Sequence, residues 1–237
     1  MTGKIQDKDL IWEPVKTEHI IQDEWIDFRR LAYRLPDGTV FEPYYNYSRR
    51  DYVVIVASDT DGNYICVRQF RHGIGEVTTE FCAGGIERTD GKEYRSGECA
   101  GTREAAGDVG NAMDHAPGAA GNAPQNERLS DAAAEDALAA AKRELSEETG
   151  YVSDEWEHLL TVPSNATIAD NYAYIYRAKN CRPVSGQKLD DTEFLQVKLY
   201  SKEAIEELIA AGRFQQAVHV MAWLLAQRAG VTDEKQH

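Results

Sequence analysis

The chain has 237 residues, with 40 Asp+Glu against 26 Lys+Arg and a formal net charge of −14. At about 150 residues per domain this is one large domain or one domain with appendages, too short for a (β/α)₈ barrel with extras. The acidic excess argues against wrapping nucleic acid or sitting on an anionic membrane, and suits a protein that binds cations. Cys66, Cys82, Cys99 and Cys181 form no CxxC pair and meet no His at finger spacing, so neither a zinc ribbon nor a disulfide framework is expected. The longest apolar stretch, 217–226, is interrupted by His219 and falls far below the roughly 20 residues that span a bilayer. Residues 1–10 are polar and lack a signal-peptide core. A cytoplasmic protein without membrane contact is expected.

In chain order, Pro36-Asp37-Gly38 separates two aromatic-rich runs, 28–34 and 39–47, and predicts a hairpin, because Pro presets φ and Gly admits positive φ. Asp61-Gly62 repeats the device between 52–57 and 64–68. The run Tyr52-Val53-Val54-Ile55-Val56-Ala57 has no polar parity, so this strand is expected to be covered on both faces, by helices. Composition then changes: 88–134 holds seven Gly and eleven Ala in 47 residues, with Tyr94, Val109, Met113 and Leu129 as its large apolar side chains. Such a stretch buries too little to offset an ordering cost of about 1–2 kcal/mol per residue. A flexible insertion over about 88–130 is expected, and its Arg103-Glu104-Ala105-Ala106, bracketed by Gly101 and Gly107, reads as a solvated turn.

From Ser130 the pattern turns helical. A helix over 132–148 is predicted, capped by Ser130 or Asp131 and ended by Gly150 in the left-handed conformation. Strands are expected at 157–162, 172–178 and 194–200. Two helices follow, 202–211 between Ser201 and Gly212, and 214–229 with Ala217, Val220, Met221, Leu224 and Leu225 on one face.

The helix before Gly150 carries the chemistry. Leu138, Ala141 and Leu145 make a packing stripe, whereas Glu144, Glu147 and Glu148 stand at i, i+3 and i+4 as a neighbouring carboxylate cluster. Small Ala137 and Ala140 beside it let another backbone or a substrate come close. Two carboxylates 4 Å apart repel by about 1 kcal/mol in water and about 4 at an effective dielectric of 20, so the cluster calls for cations. Hard divalent ions with oxygen ligands fit, Mg²⁺ first and Mn²⁺ as a substitute. With no imidazole or thiolate beside the cluster, zinc fits less well. Acidic helix faces are also commonly just solvated, and Arg143 can pair with Glu147 at i+4.

The longer string decides between these. Arg143-Glu144-Leu145-Ser146-Glu147-Glu148-Thr149-Gly150, preceded by Glu135 with seven residues between Glu135 and Arg143, resembles the second part of the Nudix box, G-x5-E-x7-R-E-U-x-E-E-x-G-U, with Tyr151 in the last apolar place. Six fixed positions match by chance on the order of 10⁻⁷ per start site. Glu80-Phe81-Cys82-Ala83-Gly84-Gly85 is similar to the E-x-P-A-G strand end of the ADP-ribose pyrophosphatase branch, with Cys82 in place of proline. Gly84 and Glu135 are separated by 50 intervening residues instead of five, which an insertion accommodates because closure entropy grows only logarithmically with loop length. Val67-Arg68-Gln69-Phe70-Arg71, Pro163-Ser164-Asn165-Ala166-Thr167 and the stretch from Glu193-Phe194 to Ala226 resemble further parts of this branch.

The resemblance implies an α/β/α Nudix sandwich with a mixed sheet over 50–229, interrupted at about 88–130, an N-terminal β-hairpin region over 1–49 that helps make a homodimer, and a tail at 230–237. It implies Mg²⁺-dependent hydrolysis of ADP-ribose, to AMP and ribose 5-phosphate, or of a related nucleoside diphosphate sugar. NADH, dinucleoside polyphosphates and a sensing domain that does not cleave are the alternatives. Glu144 and Glu148 become metal ligands, Glu147 a further ligand or water-orienting carboxylate, and Ala83 a carbonyl ligand. Arg143 orients the glutamates, while Glu135, Gly84 and Gly150 are structural. The general base is sought in the late acidic loop, Glu193 first and Asp191 second. Arg71 and, more weakly, Arg68 contact phosphate, and Trp12 or Trp25 stacks on adenine. Cys82, without a neighbouring His, is read as a small core side chain.

Overall fold

The computed structural model describes residues 6–23, 25–87, 136–189 and 194–234. A short 3₁₀ turn, Asp7–Leu10, leads into β1 (Glu13–Gln22), β2 (Asp27–Arg34) and β3 (Val40–Ser48), which form an antiparallel three-stranded sheet in that order. The predicted hairpin over Pro36-Asp37-Gly38 joins β2 to β3, with Gly38 at φ 87. Beyond the expected hairpin, β1 adds a third strand. Its ten residues are all exposed, so no period-two burial marked it in the sequence.

The second sheet contains β4 (Tyr52–Asp59), β5 (Tyr64–Arg71), β6 (Glu76–Gly85), β7 (Tyr151–Val152), β8 (Glu155–Pro163), β9 (Tyr172–Pro183) and β10 (Leu195–Tyr200). Its order is β10-β5-β6-β4-β9-β7, with β8 also on β9. The β4–β9 pair is parallel and the other pairs antiparallel, giving a mixed sheet. Its helices are α1 (Ala137–Thr149), α2 (Lys202–Ala210) and α3 (Ala217–Glu234).

The unbroken apolar run of β4 is covered on both sides, as its sequence requires. Val53, Ile55 and Ala57 pack with Ala137, Ala140, Ala141 and Leu145 of α1. Val54 and Val56 pack with Phe214 and with Ala222 and Trp223 of α3. Alternation along one strand thus feeds two cores, and the layers are helix, sheet, helix. Small residues on α1 allow it to lie close to the sheet.

Two boundaries differ from expectation. Asp136 caps α1, its Oδ1 accepting the Leu138 N–H at 2.8 Å; the expected caps Ser130 and Asp131 lie outside the described residues. At the C-terminus α3 runs to Glu234, so the expected tail boundary at 230 falls inside a helix. The N-terminal sheet is tied to the second sheet mainly by polar contacts. Tyr47 N–H donates to Ile168 O at 2.8 Å, and buried Arg29 donates to Asn46, Ser48 and Asp170.

Gly150 ends α1 at φ 76, its N–H donating to Ser146 O at 2.9 Å. A Cβ there would stand 2.3 Å from Ser185 O. Gly150→Ala combines a left-handed penalty with that overlap, and should destabilise by about 2 kcal/mol or more. The expected fall in melting temperature is about 4–8 °C, and an unchanged melting curve would contradict this account of the helix end.

Candidate active site

The site begins where β6 exchanges one neighbour for another. It pairs with β5 as far as Cys66↔Phe81, and with β4 from Ile55↔Cys82 to Tyr52↔Gly85. At the exchange, backbone donors turn to side chains: Phe81 N–H donates to His219 Nδ1 at 3.1 Å, and Ala83 N–H to Glu148 Oε2 at 3.2 Å. In an extended strand the N–H and C=O of one residue leave on the same edge. The Ala83 carbonyl therefore shares the edge that receives Glu148.

α1 brings its acidic turn onto this strand end. Glu144 and Glu148 are buried, whereas Glu147 is half exposed. A Cβ on Gly84 would lie 1.9 Å from Glu144 Cδ, so only glycine leaves room for that carboxylate. Arg143 Nη1 donates to Glu144 Oε1 at 2.8 Å and to Glu147 Oε2 at 3.1 Å, and its Nη2 donates to Gly85 O at 3.0 Å. One guanidinium thus locks helix, carboxylates and strand together.

Among the described residues no three His, Cys, Asp or Glu side chains converge as a ready-made cation site, since Arg143 holds two of the glutamates. The donor chemistry nevertheless fits a hard divalent ion: two buried carboxylates, a third at the rim and a strand carbonyl, all oxygen. The cradle at Gly84, which a Cβ would fill, is the second feature that fits.

Between β5 and β6, Arg71 donates from Nε and Nη2 to the two oxygens of Glu80, at 2.8 and 2.9 Å. Glu80 is fully buried and accepts from Thr78 Oγ1 at 2.8 Å. His219 Nε2 stands 3.9 Å from Glu80 Oε2. Burial pushes His219 down to about 4, against the opposing pull of Glu80.

Family comparison matches residues 132–224 to the NUDIX domain. That stretch, which includes the carboxylate helix, is thus similar to Nudix domains. A solved structure described as an ADP compounds hydrolase superposes on it with a TM-score of 0.65 at 17% identity, covering 92% of this chain and 94% of that one. At that identity the likeness speaks for the fold. Comparison with curated proteins gives no match.

Within the Nudix fold the remaining expected residues fare unequally. Arg68 is exposed and shares the parity of Cys66, which packs in the α3 core. Strand alternation thus puts it on the sheet face opposite the glutamates, against the phosphate contact expected of it. Trp12 packs with Tyr33 and Tyr44 at ring distances of 6.0 and 5.3 Å. Trp25 is exposed with the Arg50 guanidinium 5.8 Å above its ring. Cys82 is a buried core residue. Glu135, Asp191 and Glu193 lie outside the described residues.

Sequence reasoning did not single out Arg50, whose Cδ would stand 3.7 Å from a Cβ on Gly85, nor the partnership of Glu80 with His219. Two signals pointed to the latter: a charge on the core parity of β6, and a histidine inside the apolar run of α3.

Gly84→Ala should force Glu144 off the strand end. The atoms it meets are the far end of a flexible side chain, so the cost falls at the low end of the about 1–3 kcal/mol of overpacking, readable as a slightly lower denaturation midpoint with unchanged m-value. For His219, the unfolded chain takes up the proton near pH 6.5 and the folded chain near 4. Stability should therefore fall as pH drops through this window, by at most about 3 kcal/mol from this group. His219→Gln should flatten that part of the profile, measured as the wild-type minus variant difference between pH 7 and 4.5.

Proposed function

We propose that this protein is a Mg²⁺-dependent hydrolase of the pyrophosphate bond in ADP-ribose or a related nucleoside diphosphate sugar, releasing AMP and ribose 5-phosphate from ADP-ribose. The observation that carries the reading is the pair of buried glutamates at the strand end Ala83–Gly84, Glu144 held there by Arg143 and Glu148 by the Ala83 N–H. In the proposed site Glu144, Glu148 and the Ala83 carbonyl hold the metal, with Glu147 as a further ligand or water-orienting group. The bound metal supplies charge neutralisation on the pyrophosphate and activation of a water. Arg143 keeps the carboxylates in place through its bonds to Glu144, Glu147 and Gly85. Arg71 contacts phosphate, and Trp25, with Arg50 on one face, offers a stacking surface for the adenine. Glu193 or Asp191 remains the proposed base.

The same reading makes the N-terminal sheet an interface between two copies, since β1 is exposed throughout and Ile20, Ile21, Val40 and Phe41 are about half exposed. No helix among the described residues is long and apolar enough to cross a membrane. The buried free cysteines Cys66, Cys82 and Cys181 agree with the proposed cytoplasmic setting.

The test is a hydrolysis panel with Mg²⁺ containing ADP-ribose, ADP-glucose, GDP-mannose, UDP-glucose, NADH and a dinucleoside polyphosphate. ADP-ribose or an NDP-sugar should turn over fastest. Glu148→Gln should lose about 10²-fold or more, because even outer-shell changes at metal sites cost 10–100-fold. Micromolar binding of ADP-ribose with no turnover of any member would replace the enzyme by a sensing domain.

A further inference from the structure

Glu80 has no part in the proposed metal chemistry, yet it is a fully buried carboxylate in the middle of β6. It shares a sheet face with the glutamates of α1. Ile65 on β5 and Cys82 on β6 pack in the α1 core, whereas Cys66 and Phe81 pack on α3. Alternation therefore puts Arg71, Thr78 and Glu80 on the α1 side. Along β6, Glu80 stands about 10 Å from Ala83.

As a stabilising device this arrangement is poor, because a buried ion pair commonly contributes no more than an apolar replacement of the same shape. As a way of fixing a guanidinium it is effective. Glu80 engages the Nε and Nη2 side of Arg71 with two bonds and is itself held by Thr78. The planar fork then has a set orientation, and its Nη1 side is directed away from Glu80. Arg71 remains partly exposed. From the inner side His219 accepts the Phe81 N–H on Nδ1, which places its proton on Nε2, toward Glu80. The neutral ring gives Glu80 a dipole rather than a second full charge competing with Arg71.

We propose that Glu80 is a positioning residue for diphosphate recognition: held by Thr78 and closed off by His219, it orients the Arg71 guanidinium so that its Nη1 side meets the pyrophosphate of the bound nucleotide. This rests on the pyrophosphatase reading above and adds the residue that makes Arg71 a fixed rather than a mobile contact.

A double-mutant cycle with Arg71→Ala and Glu80→Gln tests it, using calorimetric ADP binding with Mg²⁺ and the kcat and KM of ADP-ribose hydrolysis. Glu80→Gln should weaken ADP binding and raise KM by about 10-fold or more, as expected when an oriented charged contact becomes mobile. Within the Arg71→Ala background the same substitution should add less than about 2-fold, since coupled residues are non-additive. An equal loss in both backgrounds, or an ADP affinity unaffected by Glu80→Gln, overturns the proposal and leaves Glu80 a structural group. Wild type that does not bind ADP also overturns it. If Glu80→Gln does not fold, Thr78→Val, which removes one bond from the same carboxylate, is put through the same cycle with the same criterion. ADP binding that follows the predicted pattern without any turnover would sink the hydrolase reading while sustaining this one.

Discussion

The approach of Glu144 to the backbone of Gly84 is the constraint on which the rest of the site depends. A carboxylate can be buried over a strand only where no side chain rises to meet it, and a Cβ at Gly84 would come within 1.9 Å of the Glu144 carboxyl carbon. Once the helix is that close, its neighbours have fixed tasks. Arg143 reaches across to the Gly85 carbonyl at 3.0 Å, and Glu148 takes the Ala83 N–H. Ala137, Ala140 and Ala141 fill the remaining gap with the smallest side chains that still bury apolar area. The packing of α1 and the chemistry of its acidic turn are two consequences of one close contact.

The sheet contributes through its irregularity. Where β6 leaves β5 for β4, two N–H groups donate to side chains instead of strand carbonyls. An unmade bond at a buried donor costs about 1–3 kcal/mol, so such a junction needs acceptors, and it receives one from each helical layer. Glu148 comes from α1 and His219 from α3. Burial keeps His219 neutral, which leaves its Nδ1 lone pair available to Phe81. The same ring then faces Glu80, so one of the two groups that complete the junction also borders the carboxylate that holds Arg71.

The N-terminal sheet is joined differently. Buried Arg29 links Asn46 and Ser48 of its own sheet to Asp170 of the loop after β8, and Ser48 donates to the same carboxylate at 2.5 Å. Directional bonds of this kind set an orientation without requiring a large apolar contact. Trp25 and Arg50, one from the N-terminal region and one from the entry to β4, meet through this docking. The N-terminal region thus reaches Arg50, whose side chain lies beside Gly85.

Local signals were enough for much of this. The turn pairs at Gly38 and Gly62, the two-sided burial of β4, the stop at Gly150 and the i, i+3, i+4 glutamates all follow from short-range rules of backbone and periodicity, and they are legible residue by residue. β1 was not, because a strand exposed on both faces carries no alternating pattern. The cap at Asp136 was displaced from the expected serine or aspartate because several capping side chains stand in that stretch and only packing chooses among them. Arg68 and Arg71, read alike from one motif, separate onto opposite faces once the register of β5 is set. The sequence by itself determined which helix carries the carboxylates and which glycine must lie beneath them, since both are matters of spacing and side-chain size. Only the tertiary structure decided that Arg71 is gripped by Glu80 and that His219 stands behind it, because those three come together through strand pairing and the packing of α3, contacts between residues as much as 139 positions apart in the chain.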